Sequence, residues 1–365
     1  MSILSLFETR EQEYSVEAAL ARYQALSAQP ESPIRYIHHQ PARAAETVPI
    51  PDSVPAELRG ALASRGVTAL YTHQAEAFQL VEQGKNVVVV TPTASGKTLC
   101  YNLPVLSHLL REPGARAAYL FPTKALAEDQ LHEFHSLIEA AGSDIRAFTY
   151  DGDTPQDARK AIRERAQVVL TNPDMLHAGI LPHHTKWAKL FENLRYFIID
   201  ELHYYRGIYG SHLANVLRRL RRICEFYGSR PQFICSSATI ANPQQLAESI
   251  CEESFSLVDR NGAASGEKYF IFYNPPVVNQ QLGIRRSYIH ESRRIASDTI
   301  NRGAQTLVFA NNRLATEVLL TYLKEECERS PFPRETIRGY RGGYLPKERR
   351  QIERELRDGT IRGVV

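Results

Sequence analysis

The sequence predicts an α/β fold in which a parallel-sheet domain is followed by a second, incomplete domain of the same type. From about Ser53 onward, short apolar runs alternate with stretches that have helical periodicity. The runs are apolar at successive positions, which is typical of strands buried on both faces of a parallel sheet. The same alternation restarts near Thr306, after a segment rich in Asn, Gly and Pro.

The first sheet domain is expected over residues 53–258. An N-terminal extension over residues 1–52 precedes it, with one helix at 11–28 and a loosely structured connector at 30–55. Strands are predicted at 86–90, 117–121, 145–150, 167–171, 196–200 and 232–236. Helices are predicted at 99–110, 124–141 and 212–226.

A linker is expected over residues 259–285, and a partial second domain over residues 286–365. The second domain should hold a strand at 306–310, helices at 313–327 and 346–357, and a short strand at 336–338. The final run, 361–365, is predicted to be the beginning of another strand. Because a domain seldom stops inside a core strand, we expect this chain to be the N-terminal part of a longer protein.

The composition is that of a globular protein. Of the 365 residues, 43% are hydrophobic and 23% are charged, which excludes disordered and fibrous classes. No run reaches the roughly 18 consecutive apolar residues that a membrane span needs. The five cysteines are scattered and form no Cys-x-x-Cys pair, so a reducing, cytoplasmic location is expected. Residues 281–365 carry 17 Lys and Arg against 11 Asp and Glu, a weak indication of a polyanionic partner.

The strongest motif is TPTASGKT, Thr91 to Thr98, between a predicted strand and a predicted helix. A loop there directs backbone N–H groups and a helix N-terminus at phosphate, and Lys97 adds a positive charge for the β- and γ-phosphates. The Thr98 hydroxyl is then placed to bind Mg²⁺. The predicted nucleotide-binding residues of this loop are Thr93, Ala94, Ser95, Gly96, Lys97 and Thr98.

Two further motifs end predicted strands. Asp200, Glu201, Leu202 and His203 follow YFIID, where Asp200 is expected to hold Mg²⁺ and Glu201 to orient and deprotonate the attacking water. The predicted catalytic set is Lys97, Asp200, Glu201 and His203. Further along, Ser237, Ala238 and Thr239 are expected to couple the nucleotide to a nucleic acid.

The order GKT, DELH, SSAT resembles that of superfamily 2 DExH-box helicases. The strings YLFPTKALAEDQ, TNPDMLHAGILPHHTKW and IIDELHYYRGIYGSHLANVLRRLRRIC narrow the resemblance to the mitomycin repair factor A family of bacterial DNA-repair helicases and its RecQ-related fungal relatives. The resemblance runs from about residue 50 to residue 365. It implies two RecA-like domains of the P-loop NTPase class, with ATP and Mg²⁺ as cofactors.

The resemblance also implies roles for single residues. Tyr71 and Gln74 fall where the family recognises adenine. A larger set falls where relatives contact the nucleic-acid backbone: Pro122, Thr123, Lys124, Asp151, Gly152, Thr171, Asn172, Arg313, Arg341 and Gly342. For a loop residue of this kind, capping of its own loop is an equally good explanation. The run Arg218, Arg219, Arg221 and Arg222 is expected to be a solvated helix face, and no metal site is expected beyond the Mg²⁺ that accompanies ATP.

The function implied is that of an ATP-dependent 3′–5′ DNA helicase in DNA repair. Its expected partners are DNA, single-stranded or with a single-stranded tail, and repair nucleases, with no membrane contact and a nucleoid-associated location. The family's arginine-rich motif falls beyond Val365, so we expect poor ATP hydrolysis by these residues alone. An RNA helicase of the same superfamily and a catalytically silent, nucleotide-gated clamp are the alternatives.

Overall fold

The computed structural model describes residues 16–327 and 333–365 and divides into two compact units. The larger unit is Ala42–Gly266. The smaller unit combines the described residues up to Pro41 with Glu267–Val365. In the described part of the chain, no helix combines the length and apolarity that crossing a membrane requires.

The elements follow one another largely in the predicted alternation. The strands are β1 Ile34–Gln40, β2 Thr47–Pro49, β3 Ala69–Tyr71, β4 Val87–Val90, β5 Arg116–Leu120, β6 Ala147–Thr149, β7 Val168–Thr171, β8 Leu194–Ile199, β9 Gln232–Ser237, β10 Ser256–Val258, β11 Lys268–Tyr273, β12 Val277–Asn279, β13 Ile284–Arg285, β14 Thr306–Leu307, β15 Ile337–Arg338 and β16 Gly363–Val364. The α-helices are α1 Val16–Ser27, α2 Ala56–Ser64, α3 Thr72–Glu82, α4 Lys97–Arg111, α5 Lys124–Ala140, α6 Gln156–Arg165, α7 Pro173–Met175, α8 Ala188–Glu192, α9 Gly207–Phe226, α10 Pro243–Cys251, α11 Tyr288–Asn301, α12 Arg313–Cys327 and α13 Pro346–Arg357. Shorter 3₁₀ and π turns connect α7 to α8 and β8 to α9.

The larger unit is built on a seven-stranded sheet in the order β10-β4-β9-β8-β5-β7-β6, with every neighbouring pair parallel. Side chains alternate between two apolar layers. Val87, Val89 and Phe134 belong to the apolar layer on one face, whereas Val88 and Trp187 belong to the layer on the other. Both faces are therefore covered by helices, which explains why each strand is a continuous apolar run rather than an alternating one.

The strand order brings the carboxyl ends of β4, β9 and β8 side by side. Val90 pairs with Ser237, and Ile199 pairs with Cys235. The loops that follow these three strands carry the three motifs found in the sequence. Because ligands of open parallel sheets bind outside the carboxyl ends of the strands, this edge is where a nucleotide site is expected.

The smaller unit holds a three-stranded parallel sheet in the order β14-β16-β15. Its core packs Ile300 of α11 and Leu319 of α12 against Ile337 and Val365. Two antiparallel pairs, β1 with β11 and β12 with β13, complete the described part of this unit. The α/β class expected for both parts of the chain is thus confirmed.

The prediction of a loosely structured connector at residues 30–55 is wrong. Two strands form there, because β1 pairs with β11 and β2 pairs with β3. The partner of β1 is distant in the sequence, and β2 and β3 are too short to show a periodic pattern. The local sequence pattern therefore could not predict these strands. The helix expected at 11–28 corresponds to α1. Residues 11–15 of that prediction lie outside the described residues. The segment 259–285 contains β11, β12 and β13, and the division at residues 52, 258 and 285 stays a prediction.

We expect Phe197→Ala to destabilise the larger unit by about 3–5 kcal/mol, because a fully buried ring would be replaced by a cavity. Phe226→Ala is the matched control, since that ring is 76% exposed, and it should cost under about 1 kcal/mol. Urea unfolding followed by circular dichroism measures both. Equal losses for the two variants would contradict the two-layer core.

Candidate nucleotide site and nucleic-acid groove

The phosphate loop leaves β4 and closes on itself before α4 begins. Ala94 and Gly96 adopt left-handed backbone angles, with φ of 62° and 78°. The hydroxyls of Thr91 and Ser95 are 2.6 Å apart across the loop. Lys97 Nζ donates to the carbonyl oxygens of Thr91 and Pro92, each at 2.9 Å. Its ammonium is thus held by weak neutral acceptors that phosphate oxygens can replace.

The carboxylate pair lies at the end of β8, next to this loop. Asp200 is nearly buried, and its Oδ1 accepts hydrogen bonds from the Ser236 hydroxyl and from the Glu201 N–H, the latter at 2.9 Å. Burial raises the pKa of Asp200, and burial together with the charge of Asp200 raises the pKa of Glu201. Burial also lowers the pKa of Lys97, while the two carboxylates oppose that shift. The structure therefore brings Lys97, Asp200 and Glu201 into one site.

The carboxylate edge suits a hard cation such as Mg²⁺. Among the described residues, Asp200 Oδ2 accepts one long, 3.3 Å hydrogen bond from the Tyr101 hydroxyl, which also lies 3.2 Å from Gln130 Oε1, so Oδ2 keeps a free lone pair. Tyr101 also interacts with Thr98, the other predicted Mg²⁺ ligand. Within the described ranges, no group of three or more His, Cys, Asp or Glu is arranged to hold a metal. An ion here would need phosphate oxygens and water to complete its coordination.

His203 links the carboxylates to the strand β9 motif. Its Nδ1 lies 3.2 Å from Glu201 Oε2 and 3.2 Å from the Ala238 backbone nitrogen. A protonated Nδ1 can donate to Glu201, and an unprotonated one can accept from Ala238, but one nitrogen cannot do both. Ser237 donates to the Ala238 carbonyl at 2.8 Å, and Thr239 is exposed. The residues predicted to couple the two sites are therefore adjacent to the catalytic set.

Gln74, predicted to recognise adenine, braces the phosphate loop. Its Oε1 accepts from the Tyr71 N–H at 2.9 Å, which caps α3, and its amide group donates to the Gly96 carbonyl at 3.0 Å. Each end keeps one further hydrogen-bonding position. Recognition of adenine by Tyr71 and Gln74 stays a prediction, while the contact with Gly96 was not foreseen.

A groove of about 660 Å³ lies at the same edge of the sheet, beyond β5, β7 and β6. It is rich in basic side chains, and Lys124, Gly152 and Asn172 from the predicted set line it. Its lining residues are Lys124, Tyr150, Gly152, Gln156, Arg159, Arg163, Asn172, Asp174, Met175, Ala178, Gly179, His183, Lys186 and Trp187. Such a surface suits the sequence-independent binding of a phosphate backbone.

Several residues predicted to contact nucleic acid stabilise their own loops. Thr123 and Asn172 cap α5 and α7 by accepting from backbone N–H groups. The Asp151 carboxylate accepts from the Asp153 N–H at 2.7 Å, and the Thr171 hydroxyl donates to the Tyr150 carbonyl at 2.7 Å. Pro122 precedes α5 and is half-buried. Their contacts with nucleic acid stay predictions.

Sequence reasoning missed three basic residues of the groove. Arg159 and Arg163 are four residues apart on α6 and so share a face of the helix, and Lys186 is exposed. The four-residue spacing was visible in the sequence, although nothing showed that this face looks onto the groove. Tyr101, four residues after Lys97, was missed in the same way.

In the smaller unit, the predicted backbone-contact residues come together. A Cβ added at Gly342 would lie 3.5 Å from Arg313 Nη2. Arg341 Nε donates to Glu317 Oε1 at 2.5 Å, and its guanidinium lies 4.9 Å from the centre of the Tyr344 ring. Arg341 is therefore held in place by a carboxylate and an aromatic ring.

The phosphate loop, the DELH motif and the SSAT motif lie within one matched segment. A family model for the DEAD/DEAH box helicase matches residues 71–246. Residues 71–246 form a DEAD/DEAH box helicase domain. The match confirms the predicted RecA-like P-loop class for the sheet on which this helicase domain is built.

Relatives extend the likeness beyond the helicase domain. The ATP-dependent helicase YprA of Bacillus subtilis is 56% identical over 328 residues, which are 90% of this chain and 44% of that protein. The ATP-dependent helicase HRQ1 of Saccharomyces cerevisiae is 39% identical, over 81% of this chain and 28% of its own length. The crystal structure of the DUF1998 helicase MrfA bound to DNA and AMPPNP has a TM-score of 0.91 and 52% identity, covering 96% of this chain and 48% of that one. This chain thus spans less than half of each of these proteins.

We expect Gly96→Ala to weaken the binding of an ATP analogue to the helicase domain by tenfold or more. A Cβ at Gly96 would lie 2.6 Å from Gln74 Nε2, at a φ of 78°. Gly84→Ala is the matched control, because Gly84 has a φ of 77° and open space around its Cβ position. Both variants carry a backbone penalty of roughly 1–2 kcal/mol. Fluorescence titration with a labelled analogue should show loss in Gly96→Ala alone, and equal affinities would contradict the Gln74 contact.

Proposed function

We propose that this chain carries the ATP-binding and DNA-binding part of an ATP-dependent DNA helicase. The observation that supports this most is the convergence of Lys97, Asp200 and Glu201 at the same carboxyl edge of the sheet as a basic groove. A motor needs both sites on one rigid sheet, so that a change at the nucleotide reaches the strand in the groove. The helicase names of the relatives and the DNA in the MrfA crystal support the same proposal.

Each residue of the nucleotide site has a separate role in this proposal. Lys97 exchanges its two loop carbonyls for the β- and γ-phosphates, and the loop N–H groups from Thr93 to Thr98 surround them. Asp200 and Thr98 hold Mg²⁺, which neutralises charge on the phosphates when bound. Glu201 orients the attacking water and accepts its proton. His203 contacts both Glu201 and the Ala238 N–H, so a change at Glu201 alters the hydrogen bond to Ala238.

The groove is proposed to hold the sugar–phosphate backbone of single-stranded DNA. Lys124, Arg159, Arg163 and Lys186 supply positive charge, and the Gly152 backbone allows close approach. Lys124 Nζ lies 2.7 Å from Asp153 Oδ2, so a phosphate would compete with that carboxylate. In the smaller unit, Arg313, Arg341 and Gly342 are proposed as further backbone contacts.

The 3′–5′ direction and the role in DNA repair rest on the family resemblance alone. The same holds for repair nucleases as partners and for a cytoplasmic, nucleoid-associated location. Strand-displacement assays on duplexes with a 3′ or a 5′ single-stranded tail test the direction, because only one of the two should be unwound.

In the full-length helicase of which this chain is proposed to carry the ATP-binding and DNA-binding part, we expect Glu201→Gln to lower DNA-stimulated ATP hydrolysis by about 10²–10⁴-fold, because the general base is lost. Affinity for AMPPNP and Mg²⁺ should stay within about threefold, since the amide retains the size of the carboxylate. Glu192→Gln, an exposed carboxylate at the end of α8, is the control and should hydrolyse like the wild type. Turnover by Glu201→Gln equal to that of the wild type would contradict this role and favour a nucleotide-gated clamp.

We expect Lys186→Ala to weaken single-stranded DNA binding and to reduce the slope of log K against log salt by about 0.7, the value for one phosphate contact. Lys189→Ala removes the same charge three residues away. Lys189 is exposed and does not line the groove, so this variant should keep the wild-type slope.

Anisotropy titrations with a labelled oligonucleotide at several salt concentrations measure both variants. Identical slopes for Lys186→Ala and Lys189→Ala would place the strand elsewhere. A matched RNA strand belongs in the same experiment, because only the 2′-hydroxyl separates the two backbones. Tighter binding of RNA than of DNA would favour the RNA helicase alternative.

A further inference from the structure

His73 is a fully buried histidine that no motif explains. It lies in the first turn of α3, beside Gln74, and is 0% exposed. Its Nε2 lies 3.0 Å from the Ser95 carbonyl oxygen in the phosphate loop. Its Nδ1 lies 3.2 Å from the Gly262 backbone nitrogen. The ring therefore sits between the phosphate loop and a second backbone segment.

The partners fix the state of the ring. Gly262 offers an N–H, so Nδ1 must accept, and the proton must sit on Nε2 and be donated to Ser95. Burial lowers the pKa of His73, which favours this neutral form. A charged ring would direct a second N–H at the Gly262 N–H.

The segment around Gly262 is anchored closely to the start of α3. The Glu46 N–H donates to the Gly262 carbonyl at 2.8 Å, and the Thr72 N–H donates to the Glu46 carbonyl at 3.0 Å. A Cβ at Gly262 would lie 2.2 Å from Thr72 Oγ1 and 2.9 Å from the Glu46 carbonyl oxygen. Arg43 adds two backbone hydrogen bonds with Ser265 and a side-chain bond to the Ala263 carbonyl. Only glycine allows this approach.

We propose that His73 is a positioning residue that couples the phosphate loop to residues 261–265, the last residues of the larger unit before the chain continues into β11. When the loop rearranges around phosphates, the Ser95 carbonyl moves, and the ring transmits that movement to the Gly262 N–H. Nucleotide occupancy and the conformation of residues 261–265 then change together. The inference rests on the nucleotide binding proposed above. It adds a second consequence of that binding, a change at residues 261–265, which the catalytic motifs do not produce.

Neither of the two hydrogen bonds of the His73 ring can be lost without a cost in free energy. A buried N–H or carbonyl that loses its partner costs free energy, so both hydrogen bonds of the ring are maintained as the loop moves. A flexible side chain could absorb a small shift, whereas an imidazole ring is rigid between its two nitrogens. A rigid ring bonded at both ends passes a displacement on.

Two variants separate the ends of the ring. In His73→Gln the side-chain amide can occupy the position of Nε2 and donate to Ser95, but nothing accepts from Gly262. In His73→Asn the Oδ1 can occupy the position of Nδ1 and accept from Gly262, but nothing donates to Ser95. His135→Gln is the matched control, because His135 Nε2 also bonds a backbone carbonyl, that of Ala147 at 2.9 Å.

The measurement is hydrogen–deuterium exchange of the peptide that covers residues 259–266, with and without AMPPNP and Mg²⁺. In the wild type and in His135→Gln, we expect the analogue to change the exchange rate of this peptide by about threefold or more. In His73→Gln the difference should vanish while affinity for the analogue stays within about threefold. In His73→Asn the difference should also vanish, and affinity should fall by about tenfold because the loop loses its brace.

The outcomes are distinguishable. A wild type that binds the analogue without any change at residues 259–266 overturns the coupling and leaves the proposed function intact. A nucleotide-dependent difference that survives in His73→Gln does the same. A wild type that fails to bind the analogue overturns the proposed function, and the coupling falls with it. The wild-type comparison needs no variant, so it decides even where a variant does not fold.

Discussion

The site depends on the buried carboxylate of Asp200. An ionised carboxylate in an apolar interior is stable only when donors surround it. Its hydrogen-bond partners come from different elements: Ser236 at the end of β9, the Glu201 N–H after β8, and on α4 the Tyr101 hydroxyl, whose proton is shared with Gln130 Oε1. To satisfy one charge, the fold must hold two adjacent strands and the helix behind the phosphate loop in fixed positions. The position of the loop relative to Glu201 then follows.

Much of this arrangement could be predicted from the sequence because parallel strands and P-loops are local patterns. Each strand of the large sheet that was predicted lies within about two residues of its expected position, since continuous apolar runs report burial on both faces. The predicted loop and carboxylates each follow a predicted parallel strand, which was sufficient to expect the catalytic set at one edge of the sheet. Contacts between distant backbones were not predictable. The pairing of β1 with β11 and the approach of Gly262 to Thr72 leave no periodic trace in the sequence.

Basic residues show why charge alone is a poor guide to a nucleic-acid surface. The arginines of α9 form the densest basic run of the larger unit, yet Arg218 and Arg221 are paired with Glu252 and Glu253 on a solvent-facing side. The solvated face expected for the whole run stays a prediction. The less conspicuous Arg163 and Lys186 line the groove at the carboxyl edge of the sheet. The proposed nucleic-acid groove therefore rests on position relative to the strand ends rather than on the number of charges.

The phosphate loop is held in place around the two Lys97 hydrogen bonds that the proposed nucleotide would replace. Lys97 already holds two carbonyl oxygens in the place that phosphate oxygens would take, and charge-assisted hydrogen bonds to phosphate are roughly twice as strong as those to neutral acceptors. Gln74 bonds Gly96 and His73 bonds Ser95, so the backbone on either side of the exchanging bonds is fixed in advance. Ordering of the loop then costs little free energy on binding, so the stronger hydrogen bonds that Lys97 makes to phosphate contribute to affinity. In the proposed coupling His73 also links small movements of this loop to Gly262, so a side chain that holds the loop in place makes binding detectable elsewhere in the larger unit.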